Sequence, residues 1–172
     1  MQSAIGLVKP KTNTNIAQVL RAASCFDCRL VLIEGARYKV DSPDTTKFHR
    51  HYPVLKVEDI KTSIPTSFVP IAVDLIPDAE PLQDFVHPAN ALYIFGPEDG
   101  TLGKVHTSWC KTTIYIPSRF CLNLAMAVNV VLYDRFVKEI KSGKRNIIDS
   151  ESKMNQRHAI AEKACILQSS TL

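Results

Sequence analysis

No run of about eighteen apolar residues occurs anywhere in the 172 residues, so the sequence offers no candidate membrane span. Met1 to Val8 has neither the basic start nor the long apolar stretch of a secretion signal, and a cytoplasmic location is expected. The five cysteines are odd in number and come without an export signal, which argues for reduced thiols and against a disulfide framework. Internal repeats and low-complexity tracts are absent. Apolar residues make up 45% and charged residues 22%, close to the soluble globular average, so disorder, collagen and coiled coil fit poorly. Neither sign of charge dominates: the net charge of +4 permits an anionic partner such as RNA without requiring one.

What the chain does contain is an alternation of short apolar runs and helical spacings. Ala4 to Val8 reads as a strand, and Ile16, Val19, Leu20 and Ala23 then recur on one helical face. Leu30 to Ile33, Phe68 to Val73, Leu92 to Phe95 and Thr113 to Ile116 complete a set of about five strands, with Pro70 a poor residue for a central one. Short helices are expected over Val57 to Ile64 and Leu102 to Trp109, and a long one from about Leu122 to Lys141. Residues 36 to 53 read as loop, and a last short helix is expected from Ser152 to Cys165. Strands alternating with helices predict an α/β fold, a mainly parallel sheet with helices on both faces, whose ligands bind at the carboxyl ends of the strands. At this length one domain is expected, over 1–141, with a polar carboxyl-terminal extension over 142–172.

Three segments, each just after an expected strand, carry the functional signal. The first runs from Thr12 to Ala23 and includes Asn15, Ala17 and Arg21. The second is the turn Gly96-Pro97-Glu98, followed by Asp99-Gly100-Thr101, and the third is Ile116-Pro117-Ser118-Arg119-Phe120-Cys121-Leu122-Asn123. Each has an ordinary reading. Asn15 suits the cap of a helix, Arg21 a solvated helix face, and Glu98 a turn. Cys25 and Cys28 form a CxxC, but His49 and His51 are separated by one residue and do not give the usual zinc-finger spacing. No metal is expected; Cys25 is read as packed at a helix end and Cys28 as leading into a strand.

In order and content the three segments resemble the motifs of the SpoU-type (TrmH-like) branch of the SPOUT RNA methyltransferases: Asn-x-Gly-x-x-x-Arg, then Gly-x-Glu, then Ile-Pro followed by Ser-Leu-Asn. The resemblance covers about residues 3 to 140. Ala17 stands in place of the family glycine, Thr101 in place of the glycine after Gly-x-Glu, and Cys121 in place of serine, and the link from Pro117 to Cys121 is about three residues short.

The resemblance implies a deep trefoil knot at the carboxyl end and transfer of a methyl group from S-adenosylmethionine to a ribose 2′-hydroxyl of RNA. It assigns Arg21, Glu98, Asn123 and Asn15 to catalysis, with Glu98 holding Arg21 or a neighbouring loop. Backbone groups after Val73 and at Gly96, Ile116, Cys121 and Leu122 would hold the cofactor. It also implies a homodimer in which the arginine of one subunit lies near the cofactor of the other, and, by analogy with compact members, tRNA in preference to ribosomal RNA. RNA contacts are expected from Arg37 to Tyr52, where cations and aromatics alternate, and from Lys138, Lys141, Lys144 and Arg145. The alternative reading is a non-catalytic RNA-binding protein that keeps the knotted fold.

Overall fold

The computed structural model describes residues 1–36 and 52–145. Met1–Arg135 forms one compact unit and Phe136–Leu172 a second. In the first, seven strands form a single sheet: β1 (Gln2–Val8), β2 (Leu30–Glu34), β3 (Val54–Val57), β4 (Val69–Val73), β5 (Glu80–Pro81), β6 (Asn90–Phe95) and β7 (Thr112–Tyr115). Their order is β3-β2-β1-β6-β4-β7-β5, and every pairing is parallel. Among the described residues the α-helices are α1 (Asn13–Cys25), α2 (Gly103–Thr107) and α3 (Leu124–Lys141), the last running on into the second unit.

Side-chain alternation divides the core into two layers. Ile5, Leu7, Val31, Ile33, Ile71, Val73, Tyr93 and Phe95 face α1 residues Ile16, Val19, Leu20 and Ala23 and α3 residues Leu124, Val128, Val131 and Leu132. The intervening residues Ala4, Val8, Leu30, Leu32, Ala72, Leu92 and Ile94 face Ile60 and Leu102, with Trp109 packed alongside. Strands buried on both faces read as continuous apolar runs, which is why β1, β2 and β6 stand out in the sequence. The second layer is thinner, covered by a 3-10 turn (Lys61–Ser63) and the five-residue α2.

Several elements differ from expectation. Apolar spacing over Val57, Ile60 and Ile64 suggested a helix, but Val54–Val57 pairs with β2 as an edge strand and only the single turn Lys61–Ser63 follows before Pro65. The two-residue β5 is too short to leave a periodic signal. Pro70 is tolerated because the β4–β7 ladder begins one residue later, at Ile71, while its carbonyl accepts the Lys111 N–H at 2.8 Å. Cys28 is buried at the entry to β2, as expected, but Cys25 is exposed where α1 ends.

In the second unit the described residues are the end of α3 and the four that follow. Arg145 pairs with Glu139 at 3.0 Å and stacks over Phe136 at 5.2 Å. The segment from Arg37 to His51 and the helix expected from Ser152 to Cys165 lie outside the described residues.

Candidate active site

The site begins where β1 ends. Lys9 to Thr12 connect β1 to α1, and Thr12 caps the helix by accepting the Asn15 N–H at 3.3 Å. This places Asn15 in the first turn with its side chain turned inward and buried. Across the sheet, β6 ends at Phe95 and the chain turns through Gly96. A Cβ at Gly96 would stand 3.0 Å from the Leu102 nitrogen, so a side chain here would crowd the 97–102 loop where it folds back over the strand end. The loop is fastened on its far side by Asp74, whose carboxylate accepts the Leu102 N–H at 2.8 Å.

A chain of hydrogen bonds joins the three segments. Glu98 Oε1 accepts from Asn15 Nδ2 at 2.7 Å, and Glu98 Oε2 accepts from the Lys11 N–H at 2.8 Å. Asn15 Oδ1 accepts from Asn123 Nδ2 at 3.0 Å, and Asn123 Oδ1 accepts the Ala125 N–H at 2.9 Å at the start of α3. The direction of every bond is fixed, because an ionised carboxylate can only accept: Asn15 must donate its amide to Glu98 and present its oxygen to Asn123. Burial pushes the Glu98 carboxyl up, but the bonds from Asn15 and from the backbone N–H groups of Glu98, Lys11 and Thr12 outweigh it and hold the group below its ordinary value. Such a carboxylate is a clamp and a poor proton acceptor at neutral pH. The outer pair Lys11–Asp99, at 3.4 Å with both side chains about half exposed, adds little to it.

Beside this clamp, at the carboxyl ends of β4, β6 and β7, lies a cavity of about 400 Å³. That volume falls within the range of about 300–1,000 Å³ typical of small-molecule sites. Its walls are mostly apolar: Val73, Leu75, Phe95, Pro97, Tyr115, Ile116, Leu122, Leu124 and Ala127. Asp74, Glu98, Thr101, Ser118 and Cys121 supply the polar points, with Gly96 and Gly100 at the floor of the turn.

The residues expected from the sequence fall into three groups. Val73, Gly96, Ile116, Cys121, Leu122 and Glu98 line the cavity, and Asn15 and Asn123 stand behind Glu98 in the hydrogen-bond chain. Arg21 is exposed on α1, outside the cavity lining. Of the two partners expected for Glu98, the structure gives the neighbouring loop at Lys11 together with Asn15, and not Arg21, whose side chain is exposed on α1. Asp74 was missed, although a carboxylate directly after an apolar strand is a readable signal. The Lys11 backbone contact leaves no trace in residue type.

Comparison with known proteins places the chain in a family. Residues 2–133 match the model of the SpoU rRNA methylase family. The chain belongs to that family. Among solved structures, the SpoU methyltransferase AviRb from Streptomyces viridochromogenes superposes with a TM-score of 0.70 at 22% identity, covering 83% of this chain and 61% of that one. The A. aeolicus TrmH/SpoU tRNA modifying enzyme gives 0.72 at 15% identity, covering 83% and 77%. A protein described for 2-OH methylation on tRNA gives 0.66 at 20%, covering 78% and 89%. These likenesses establish a SPOUT-type α/β fold, and this SpoU family chain spans about three fifths of the AviRb length. No curated protein matches it by sequence comparison.

Proposed function

We propose that this SpoU family chain is an S-adenosylmethionine-dependent methyltransferase acting on a ribose 2′-hydroxyl of RNA, with tRNA favoured over ribosomal RNA. The observation that carries the reading is the convergence of the three motif segments on one cavity through the Asn123–Asn15–Glu98 chain. AviRb, of the same family, has been solved in complex with AdoMet. The residues around the cavity fit such a cofactor: apolar walls suit its adenine and methylene groups, a glycine floor brings backbone close, and the Asp74 and Glu98 carboxylates suit its positive charge. When bound, the cofactor supplies an electrophilic methyl on a sulfonium.

The protein's part is positioning. Val73, Gly96, Ile116, Cys121 and Leu122 hold the cofactor through backbone and apolar contact, a mode in which cysteine in place of serine at 121 need not abolish binding. Asn15 and Asn123, locked in one orientation by Glu98, fix the loops that place the ribose, and holding a hydroxyl in line with the methyl supplies much of the rate. Arg21, permanently charged, orients the RNA and stabilises the charge that develops as the hydroxyl proton leaves, with an RNA phosphate assisting. Its exposure on α1 fits a homodimer in which it reaches the partner's cavity. Met126, Val130 and Tyr133, at 54%, 38% and 59% exposure on α3, supply an apolar stripe for that contact. The chain is expected to carry the family's knot at its carboxyl end and to work in the cytoplasm. Among the described residues no helix is long and apolar enough to cross a membrane.

The rival reading, a non-catalytic RNA-binding protein, is favoured by Ala17, Thr101 and Cys121, which stand in place of the family's glycine, glycine and serine; Thr101 and Cys121 line the cavity. Mass spectrometry of nucleosides from tRNA and ribosomal RNA after incubation with protein and S-adenosylmethionine separates the two: a new 2′-O-methylnucleoside in either RNA supports the enzyme, and none in both supports the binder.

A further inference from the structure

The link between β7 and α3 carries two large side chains that the cavity leaves unused. Phe120 is 74% exposed, among the most exposed large apolar side chains described. The Arg119 guanidinium lies over its ring, 5.4 Å from the centroid. Their neighbours Ser118 and Cys121 line the cavity, so the pair sits at its mouth. The loop is held in shape: the Ser118 hydroxyl donates to the Phe120 carbonyl at 2.8 Å and approaches the Ile116 carbonyl at 3.3 Å.

An exposed aromatic ring costs free energy unless something covers it, and this ring, 74% exposed, carries a cation beside it. A flat aromatic ring beside a positive charge is the chemistry that single-stranded nucleic acid recognises, a base stacking on the ring and its phosphate meeting the cation. A turn fixed by Ser118 presents the ring in one orientation and lowers the ordering cost of that contact.

We propose that Arg119 and Phe120 form a nucleobase-stacking platform at the mouth of the cavity, which grips an unstacked base of the RNA next to the ribose that is modified. The proposal rests on the methyltransferase reading for the identity of the substrate. Phe120 then sets the affinity for RNA and the choice of base, without touching the cofactor.

The test compares wild type with Phe120→Ala, Phe120→Trp, Arg119→Ala and Arg119→Lys, using unfractionated tRNA as the RNA probe and S-adenosylmethionine as the cofactor probe. Phe120→Ala is expected to weaken tRNA binding and raise its KM about tenfold with kcat little changed and cofactor affinity retained. Phe120→Trp is expected to restore tRNA binding. Arg119→Ala is expected to flatten the salt dependence of tRNA binding, and Arg119→Lys to keep it. The proposal is overturned by wild-type tRNA affinity in Phe120→Ala, by a parallel loss of cofactor affinity, or by a change of oligomeric state, which would make Phe120 a subunit contact. A wild type that binds tRNA but takes up no S-adenosylmethionine defeats the methyltransferase reading instead, and the tRNA affinities still decide on Phe120.

Discussion

Glu98 does at the residue scale what no single motif residue does alone: it converts two flexible amides and a loop N–H into one oriented array. Because its carboxyl is held below the ordinary value of 4.5, it contributes stability above that pH and loses it as the pH falls through the lowered value. Urea unfolding of wild type and Glu98→Gln is therefore expected to show wild type more stable at neutral pH, with the gap closing below 4.5. The cysteines separate in the same way. Burial pushes the Cys28 thiol up to about 11 and the Cys110 thiol up to about 12, whereas Cys25 and Cys121 are exposed. Iodoacetamide with mass mapping is expected to label Cys25 and Cys121 and to spare Cys28 and Cys110, and S-adenosylmethionine is expected to protect Cys121 alone. The motif residues themselves were legible in the sequence. Their mutual orientation was not, because Glu98 finds the Lys11 backbone by the approach of two loops 87 positions apart.

Among the elements, legibility followed burial. β1, β2 and β6, covered on both faces, announced themselves as apolar runs, and α3 as a long stripe. The edge pieces β3 and β5 escaped notice because their pairing comes from the neighbouring strand and not from their own pattern: Val54–Val57 is only partly buried and Glu80–Pro81 pairs at two residues. α1 depends on its cap. Thr12→Ala removes the acceptor for the Asn15 N–H, a long bond at 3.3 Å, and is expected to cost about 0.5–1 kcal/mol. By thermal unfolding this is a fall of about 1–4 °C in Tm. Since the same turn carries Asn15, cofactor affinity is expected to fall with it.

For the molecule as a whole, one parallel sheet brings the ends of β4, β6 and β7 and the starts of α1 and α3 to a single rim, and that convergence brings three separate short motifs together as one candidate site. Periodicity reached the α/β class and the rim; the strand order did not follow from it, because β6 inserts between β1 and β4 through contacts distant in the chain. The exposed stripe on α3 belongs to this scale. Sedimentation of wild type is expected to give a dimer, and Met126→Asp with Val130→Asp a monomer that has lost methyl transfer, because Arg21 no longer reaches a partner's cavity. The measurement that tests the account most directly is calorimetric titration of the wild-type chain with S-adenosylmethionine. The account predicts saturable heat with one site per chain, weakened by Gly96→Ala, whose added Cβ would stand 3.0 Å from the Leu102 nitrogen. No heat at protein concentrations high enough to detect weak binding would contradict it.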